Sequence, residues 1–292
     1  MSIFHEIGDD EIRIIGTANS YGGRRRPWLK WVLIAAGIIV VVVVLILIFG
    51  GSKGEQKPPV DPAEENVATA DESVNEFSVV NAVEGVGSSV LVSEVEVNGK
   101  ALRLFVPRNV VAELVVGDLD TSDRSLVFVV QAADIRKDNG GIVGAFVLKG
   151  EPLAWGLSKR GYCAIINGQM RIGVADNSPL FEKATETEGY FFRQFALVDN
   201  GNIEYNPAQS KLALRRGLCQ IGDSVVVVES IDMLSLDDFS TCLSALGAQN
   251  AIYLVGGEAF GLVLDENGRR YAIGRKWGRA FPNVNYLVFR RA

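Results

Sequence analysis

Few side chains in this sequence are of types that do chemistry, and their spacing narrows the chemistry further. The single histidine, His5, stands near the start of the chain and reads as a solvated tail residue. A serine nucleophile needs a base of that kind, so Ser-His-Asp catalysis is excluded for everything downstream. Cys163, Cys219 and Cys242 show no C-x-x-C spacing, which argues against zinc ligation and thiol redox chemistry. They read as small buried residues, with one pair open to bridging in an oxidising compartment. Gly256-Gly257-Glu258 lacks the third glycine and the helix entry of a dinucleotide fingerprint. No metal and no cofactor is expected. What remains is a set of carboxylates and arginines near turns: Asp134, Asp138, Arg193, Arg216 and Glu258. Paired carboxylates do acid–base work on glycosidic bonds, and a guanidinium fits phosphate. Charged residues near turns are more often simply solvated.

The elements that must position these residues are mostly strands. SSVLVSEVEV at 88–97, ALRLFV at 101–106, SLVFVV at 125–130 and IVGAFVL at 142–148 are alternating or β-branched runs. CAIIN at 163–167, KLALRRGLCQI at 211–221 and SVVVVES at 224–230 continue the pattern. Asn98-Gly99, Asn167-Gly168, Asn200-Gly201, Gly222-Asp223 and Asn267-Gly268 punctuate them. Asn167-Gly168, between CAII and QMRIGV, is the clearest hairpin turn, because the favoured turn needs positive φ at both positions. A helix starts at Ser235, which can cap it, with Asp238 in its first turn. Leu236, Phe239, Leu243 and Leu246 form its apolar face, and Gly247 ends it. Residues 251–255 then read as a buried strand that runs into Gly256-Gly257. A second helix fits near Ser178 to Thr185, ahead of the aromatic run Tyr190-Phe191-Phe192.

Residues 31–49 (WVLIAAGIIVVVVVLILIF) contain no charge and no proline. As a helix this run spans roughly 28 Å, close to the hydrocarbon core of a bilayer. The basic cluster of Arg24, Arg25, Arg26 and Lys30 precedes it, which places the N-terminus in the cytoplasm. The expectation is therefore a cytoplasmic stub at 1–30, an uncleaved signal anchor at 31–49 and a disordered linker at 50–76. The linker is rich in acids and proline and carries no aromatic residue. Residues 77–292 form the folded domain on the periplasmic or extracellular side. The chain of 292 residues has a net charge of −6, which argues against nucleic acid as a partner. Nothing in the sequence sets the oligomeric state.

The stretch KLALRRGLCQIGDSVVVVESIDMLSLDDFSTCLSALGAQNAIYLVGGEAFGLV resembles the C-terminal signature of the phosphodiester glycosidase family. That pattern is an Arg-Thr-Ala-hydrophobic-Gly strand, a valine-rich strand, a helix ending in Leu-Gly-Ala, and Ala-hydrophobic-Asn-Leu-Asp-Gly-Gly-Gly-Ser. Here Arg216-Gly217-Leu218-Cys219-Gln220 stands for the first element, and Leu246-Gly247-Ala248 ends the helix. Ala251-Ile252-Tyr253-Leu254-Val255-Gly256-Gly257-Glu258-Ala259 stands for the last. GYCAIINGQMRIGV looks like the family's middle hairpin, and the resemblance covers roughly residues 110–290 of the sequence. It implies a strand-rich, mixed α/β phosphodiester-glycosidase-like domain; with the single N-terminal transmembrane helix read from residues 31–49, the expected fold class is α+β. It also implies a glycan or sugar-phosphate ligand. Arg216, Gly256 and Gly257 carry over as substrate-binding residues. The signature aspartate, however, is Val255. The family's Asn-Gly-Gly-aromatic-Phe element aligns with Gln131-Ala132-Ala133-Asp134, or more loosely with Asn139-Gly140-Gly141. Catalysis would then fall to Glu258 and Asp134 as acid and base. Two functions follow from this resemblance: a divergent envelope hydrolase acting on sugar-1-phosphodiesters, or a catalytically inactive relative serving as a glycan-binding or assembly module.

Overall fold

The computed structural model describes residues 79–206, 210–275 and 282–292, all within the compact unit Val74–Ala292. The stub, the apolar run 31–49 and the linker lie outside the described residues, as does His5. Among the described residues no helix is long and apolar enough to cross a membrane.

The described chain contains strands β1 (Ser89–Val97), β2 (Lys100–Arg108), β3 (Val110–Val116), β4 (Leu126–Gln131), β5 (Ala145–Leu148) and β6 (Glu151–Trp155). Next come β7 (Gly161–Ile166), β8 (Gln169–Val174), helix α1 (Leu180–Glu186), β9 (Tyr190–Gln194), β10 (Ala196–Asp199) and β11 (Asn202–Ile203). The rest is β12 (Arg216–Ile221), β13 (Ser224–Ser230), helix α2 (Leu236–Ala245), β14 (Ala248–Leu254), β15 (Gly261–Leu264), β16 (Arg270–Ile273) and β17 (Asn285–Arg291).

These strands make three antiparallel sheets. A seven-stranded sheet has the order β1-β2-β13-β12-β14-β10-β11, and two five-stranded sheets have the orders β16-β15-β4-β17-β3 and β6-β5-β9-β7-β8. The domain is strand-rich α+β, as the text of the sequence implies. Asn98-Gly99 and Asn167-Gly168 both sit at positive φ and close the β1–β2 and β7–β8 hairpins. Lys149-Gly150 closes β5–β6 with the same backbone, a turn hidden by its lysine.

Two expected strands start later than their apolar runs. In IVGAFVL the strand begins at Ala145, because Gly144 takes φ +91, a left-handed backbone that favours glycine. In KLALRRGLCQI it begins at Arg216; Ala213 instead makes an isolated bridge to Leu234.

The central core lies among the three sheets. Phe105, Phe128 and Phe289 stack through it with centroids 5.3 and 5.8 Å apart. Helix α2 covers the outer face of the large sheet. Leu236, Phe239, Cys242 and Leu243 pack on Leu197, Val226, Val228 and Ala251. Its first turn is fixed as expected: the Ser235 Oγ accepts from the Asp238 N–H at 3.0 Å and donates to the Asp238 carboxylate at 2.7 Å. Gly247 then leaves the helix at φ +87.

Candidate functional site

The candidate residues sit where β4, β9 and β14 end and β12 begins. Arg216 pairs in register with Leu254, so the start of β12 lies beside the end of β14. The Tyr253 N–H donates to the Phe195 carbonyl at 2.9 Å, which brings the β9–β10 junction to the same place. The end of β4 is clamped by Asn285. That fully buried side chain accepts from Ala133 N–H at 2.6 Å and donates to the Ala133 carbonyl at 3.2 Å. Asp134 follows directly.

Asp134 is not a free carboxylate. Its Oδ2 forms an ion pair with the Lys159 Nζ and accepts from the Gln194 Nε2 at 3.1 Å. Lys159 is 3% exposed, donates to the Gln194 Oε1 at 3.0 Å and lies 4.4 Å over the Phe195 ring. Phe195 meets Tyr253 edge-on at 6.4 Å, and the Arg215 guanidinium lies 6.0 Å from the Tyr253 ring. Two cations thus bracket two aromatic rings. Burial pushes the Tyr253 phenol above its ordinary range and the Asp134 charge adds to this, while Arg215 works against them. At neutral pH the phenol keeps its proton.

Arg216 is fully buried, and its donors are spent inside the protein. Nε donates to the Glu229 carboxylate at 3.0 Å and Nη2 to the same oxygen at 2.5 Å. Nη1 reaches the carbonyls of Val255 at 3.4 Å and Ala259 at 3.3 Å, the two sides of the glycine turn. The pair is the inner end of a ladder. Glu94, Arg103, Glu229 and Arg216 face one another on four neighbouring strands. Side-chain exposure falls along it from 59% to 34%, 13% and 0%. The outermost pair closes at 2.8 Å and the middle one at 3.7 Å.

The two glycines divide the reasons for being glycine. A Cβ on Gly256 would lie 2.8 Å from both the Arg216 nitrogen and the Leu214 oxygen, so that position needs close backbone approach. Gly257 has more room but takes φ +61. Glu258, by contrast, is exposed, and its carboxylate meets Arg275 at 3.5 Å. The structure therefore brings Arg216, Gly256 and Gly257 together and places Asp134 near Tyr253. Glu258 has no bond to any of them.

Asp138 is at the surface, paired with Arg136 at 2.7 Å. Arg193 is buried and ties three carbonyls, of Lys159, Ala175 and Asp176, into the third sheet. Burial pulls its guanidinium below the usual value. The three cysteines are free and buried, so no pair is bridged. Burial holds the Cys163 and Cys219 thiols well above their ordinary range, which makes them inert. No cluster of metal-ligating side chains occurs among the described residues.

Sequence reasoning did not single out Lys159, Gln194, Arg215, Tyr253 or Asn285. For Tyr253 a signal existed, since it stands where the family pattern has asparagine. Lys159 and Gln194 carried none, because nothing in their local sequence marks them as buried.

No family model matches the chain, and no curated protein matches it. Among solved structures, it is similar to the catalytic domain of zebrafish N-acetylglucosamine-1-phosphodiester α-N-acetylglucosaminidase. The identity is 12% and the TM-score 0.49, over 74% of this chain and 88% of that one. A hypothetical protein from Synechocystis aligns with a TM-score of 0.50 and 13% identity, over 70% of this chain and 62% of that one. The likeness is weak and partial, and at such identities it concerns fold alone.

Proposed function

We propose that this chain is a membrane-tethered module of the cell envelope that binds a glycan or sugar phosphate without cleaving it, on a fold distantly related to the phosphodiester glycosidases. One observation carries this reading: the two acids that hydrolysis would need have separate partners. Asp134 is neutralised by buried Lys159, and Glu258 stands at the surface with Arg275. Val255 fills the place of the signature acid and can neither give nor take a proton. An acid and a base must both reach the scissile bond, and errors of about 1 Å already cost much of the rate.

The tether is the uncharged run 31–49 behind its basic cluster, with the domain on the outer side. Protease applied outside cells whose outer barrier is opened should digest the domain; protection of it would refute the topology. For the activity, the full chain in detergent is offered a methyl diester of N-acetylglucosamine 1-phosphate. Saturable binding with no release of sugar is the expected result. Turnover that disappears in Glu258→Gln would overturn the reading in favour of a divergent hydrolase.

A further inference from the structure

Strand β1 is an edge of the seven-stranded sheet, and β16 is an edge of a five-stranded one. The two sheets touch here through the isolated bridge between Val90 and Asp265. Beyond that bridge lies a half-open cleft of about 240 Å³, with β1 on one wall and the β15–β16 hairpin on the other.

The hairpin wall is braced from below. Asp265 is 4% exposed, and its carboxylate accepts from the Asn267 N–H at 3.0 Å, the Arg269 N–H at 2.9 Å and the Arg269 Nε at 3.1 Å. The guanidinium so held lies 4.9 Å over the Tyr271 ring. The fold uses only its Nε; both terminal nitrogens of Arg269 are without a partner among the described residues. The Asn267 side chain makes no hydrogen bond there either, and Glu266 has only a 4.0 Å contact with Arg108. On the opposite wall Arg103 takes one oxygen of Glu94 twice, at 3.0 and 2.8 Å, and leaves the other. Val92 and Tyr271, packed against the central core, supply the apolar part of the lining.

The unspent groups are therefore mixed. Arg269 and the Asn267 amide donate; Glu94, Glu266 and the Asn267 oxygen accept. Charge is largely cancelled in pairs, Glu94 by Arg103 and Asp265 by Arg269, so no field of one sign selects an ion. A neutral ring that carries hydroxyls all round matches this lining, because each hydroxyl both donates and accepts. The volume falls below the roughly 300–1,000 Å³ of pockets for drug-sized ligands, which limits the occupant to about one ring.

We propose that this cleft is the seat of a single neutral sugar residue, bonded by Asn267, Glu266 and Arg269. It shares no residue with the glycine turn, so the closed pairs there stay closed when the sugar is bound. The inference rests on the binding reading above for sugar as the ligand; the place of the seat rests on the cleft alone.

The test is saturation-transfer NMR on the full chain in a sugar-free detergent, titrated with methyl glucoside and methyl N-acetylglucosaminide. At least one should bind saturably. Asn267→Ala should weaken it about fivefold and Glu266→Ala roughly tenfold, the losses expected for a neutral and a charge-assisted hydrogen bond. Both variants should melt with the parent, since neither side chain holds the fold together. Arg136→Gln, a surface cation in another loop, should leave binding unchanged. No saturable binding of either glycoside overturns the seat, and so does glycerol competing as well as the sugars. Glucuronate or glucosamine binding more than about tenfold tighter than the neutral sugars overturns the neutral class, because a charged-ligand site discriminates by at least one charge-assisted bond. If the sugar diester used above binds equally to the parent and both cleft variants and is lost in Tyr253→Phe, the ligand sits at the glycine turn; that removes this inference and keeps the binding reading. Glycoside binding that depends on Asn267 and Glu266, without any binding of the diester, keeps this inference and removes the sugar phosphate from that reading.

Discussion

Arg215 and Arg216 are neighbours in sequence and both are buried, yet their surroundings differ completely. Arg216 ends a row of alternating charges that crosses four strands and is bonded to Glu229. Arg215 ends a row of alternating cations and aromatic rings and donates to the carbonyls of Leu234 and Lys211 beside the Tyr253 ring. The first arrangement is closed: every charge has its opposite, and its product is a fixed turn. The second is open by one negative charge. This difference separates a buried charge closed by a carboxylate from one held by neutral acceptors alone.

Removing Glu229 would break the closed side. Glu229→Ala leaves the Arg216 charge buried without a partner and frees both sides of the glycine turn. A loss of about 3–5 kcal/mol is expected for such a broken pair. Urea unfolding measures it, and a loss under about 1 kcal/mol would mean that water reaches Arg216. Arg103→Met is the sharpening control. It removes a half-exposed link of the ladder and should cost at most about 1 kcal/mol.

Next in size is the turn itself. Gly256→Ala would put a methyl group 2.8 Å from two backbone atoms that cannot move aside as a flexible side chain would. Gly257→Ala meets no such contact but must hold φ +61. The first should cost about 1–3 kcal/mol, as overpacking does, and the second about 1 kcal/mol, the usual strain of a left-handed residue. Thermal melting of the two variants, compared directly, separates close approach from backbone strain. A larger effect at Gly257 would reverse the assignment.

How much of this was legible in the sequence depends on how far each contact reaches along the chain. The Ser235 cap, the Asn-Gly hairpins and the valine-rich strands are local and read directly. The Arg216–Glu229 pair was within reach too. Gly222-Asp223 is a two-residue turn, and counting outward from it places Arg216 opposite Glu229. The other side was not readable. Asp134, Lys159, Gln194 and Tyr253 meet only because β4, β9 and β14 end together, and no turn or period links segments so far apart. Lys159 in particular reads as an ordinary surface lysine, since a lone charge in a loop carries no mark of burial. Strand β17 also escaped, because NYLVFRR ends in two arginines; Arg290 is in fact bonded to Glu113 and Asp123.

That Arg290 cluster offers a pH test of a closed pair away from the site. Asp123 accepts from the Ser125 N–H and hydroxyl and pairs with Arg290, and these hold its carboxyl down at about 2 against an ordinary 3.8. A depressed folded-state value favours the charged form in the folded protein. Its contribution is therefore complete above 3.8 and is lost as the pH falls from there through about 2. Asp123→Asn should lower stability by a constant amount above pH 3.8 and flatten the profile between 3.8 and about 2. A profile identical to the parent between these values would show that the pair has no thermodynamic weight.

The smallest effect is expected at Glu258. Its pair with Arg275 is exposed on both sides, 49% and 73%, so water and salt screen it. Glu258→Gln should shift stability by no more than about 0.5 kcal/mol, and that little should vanish in high salt. Binding of the sugar diester should persist, because Glu258 is paired with Arg275 at the surface and not with the buried residues at the strand ends. Should Glu258→Gln instead strengthen that binding several-fold, its charge must stand close enough to repel the ligand. The glycine turn would then carry Glu258 toward the site rather than away from it, and the comparison between the two arginines would have to admit a third charge.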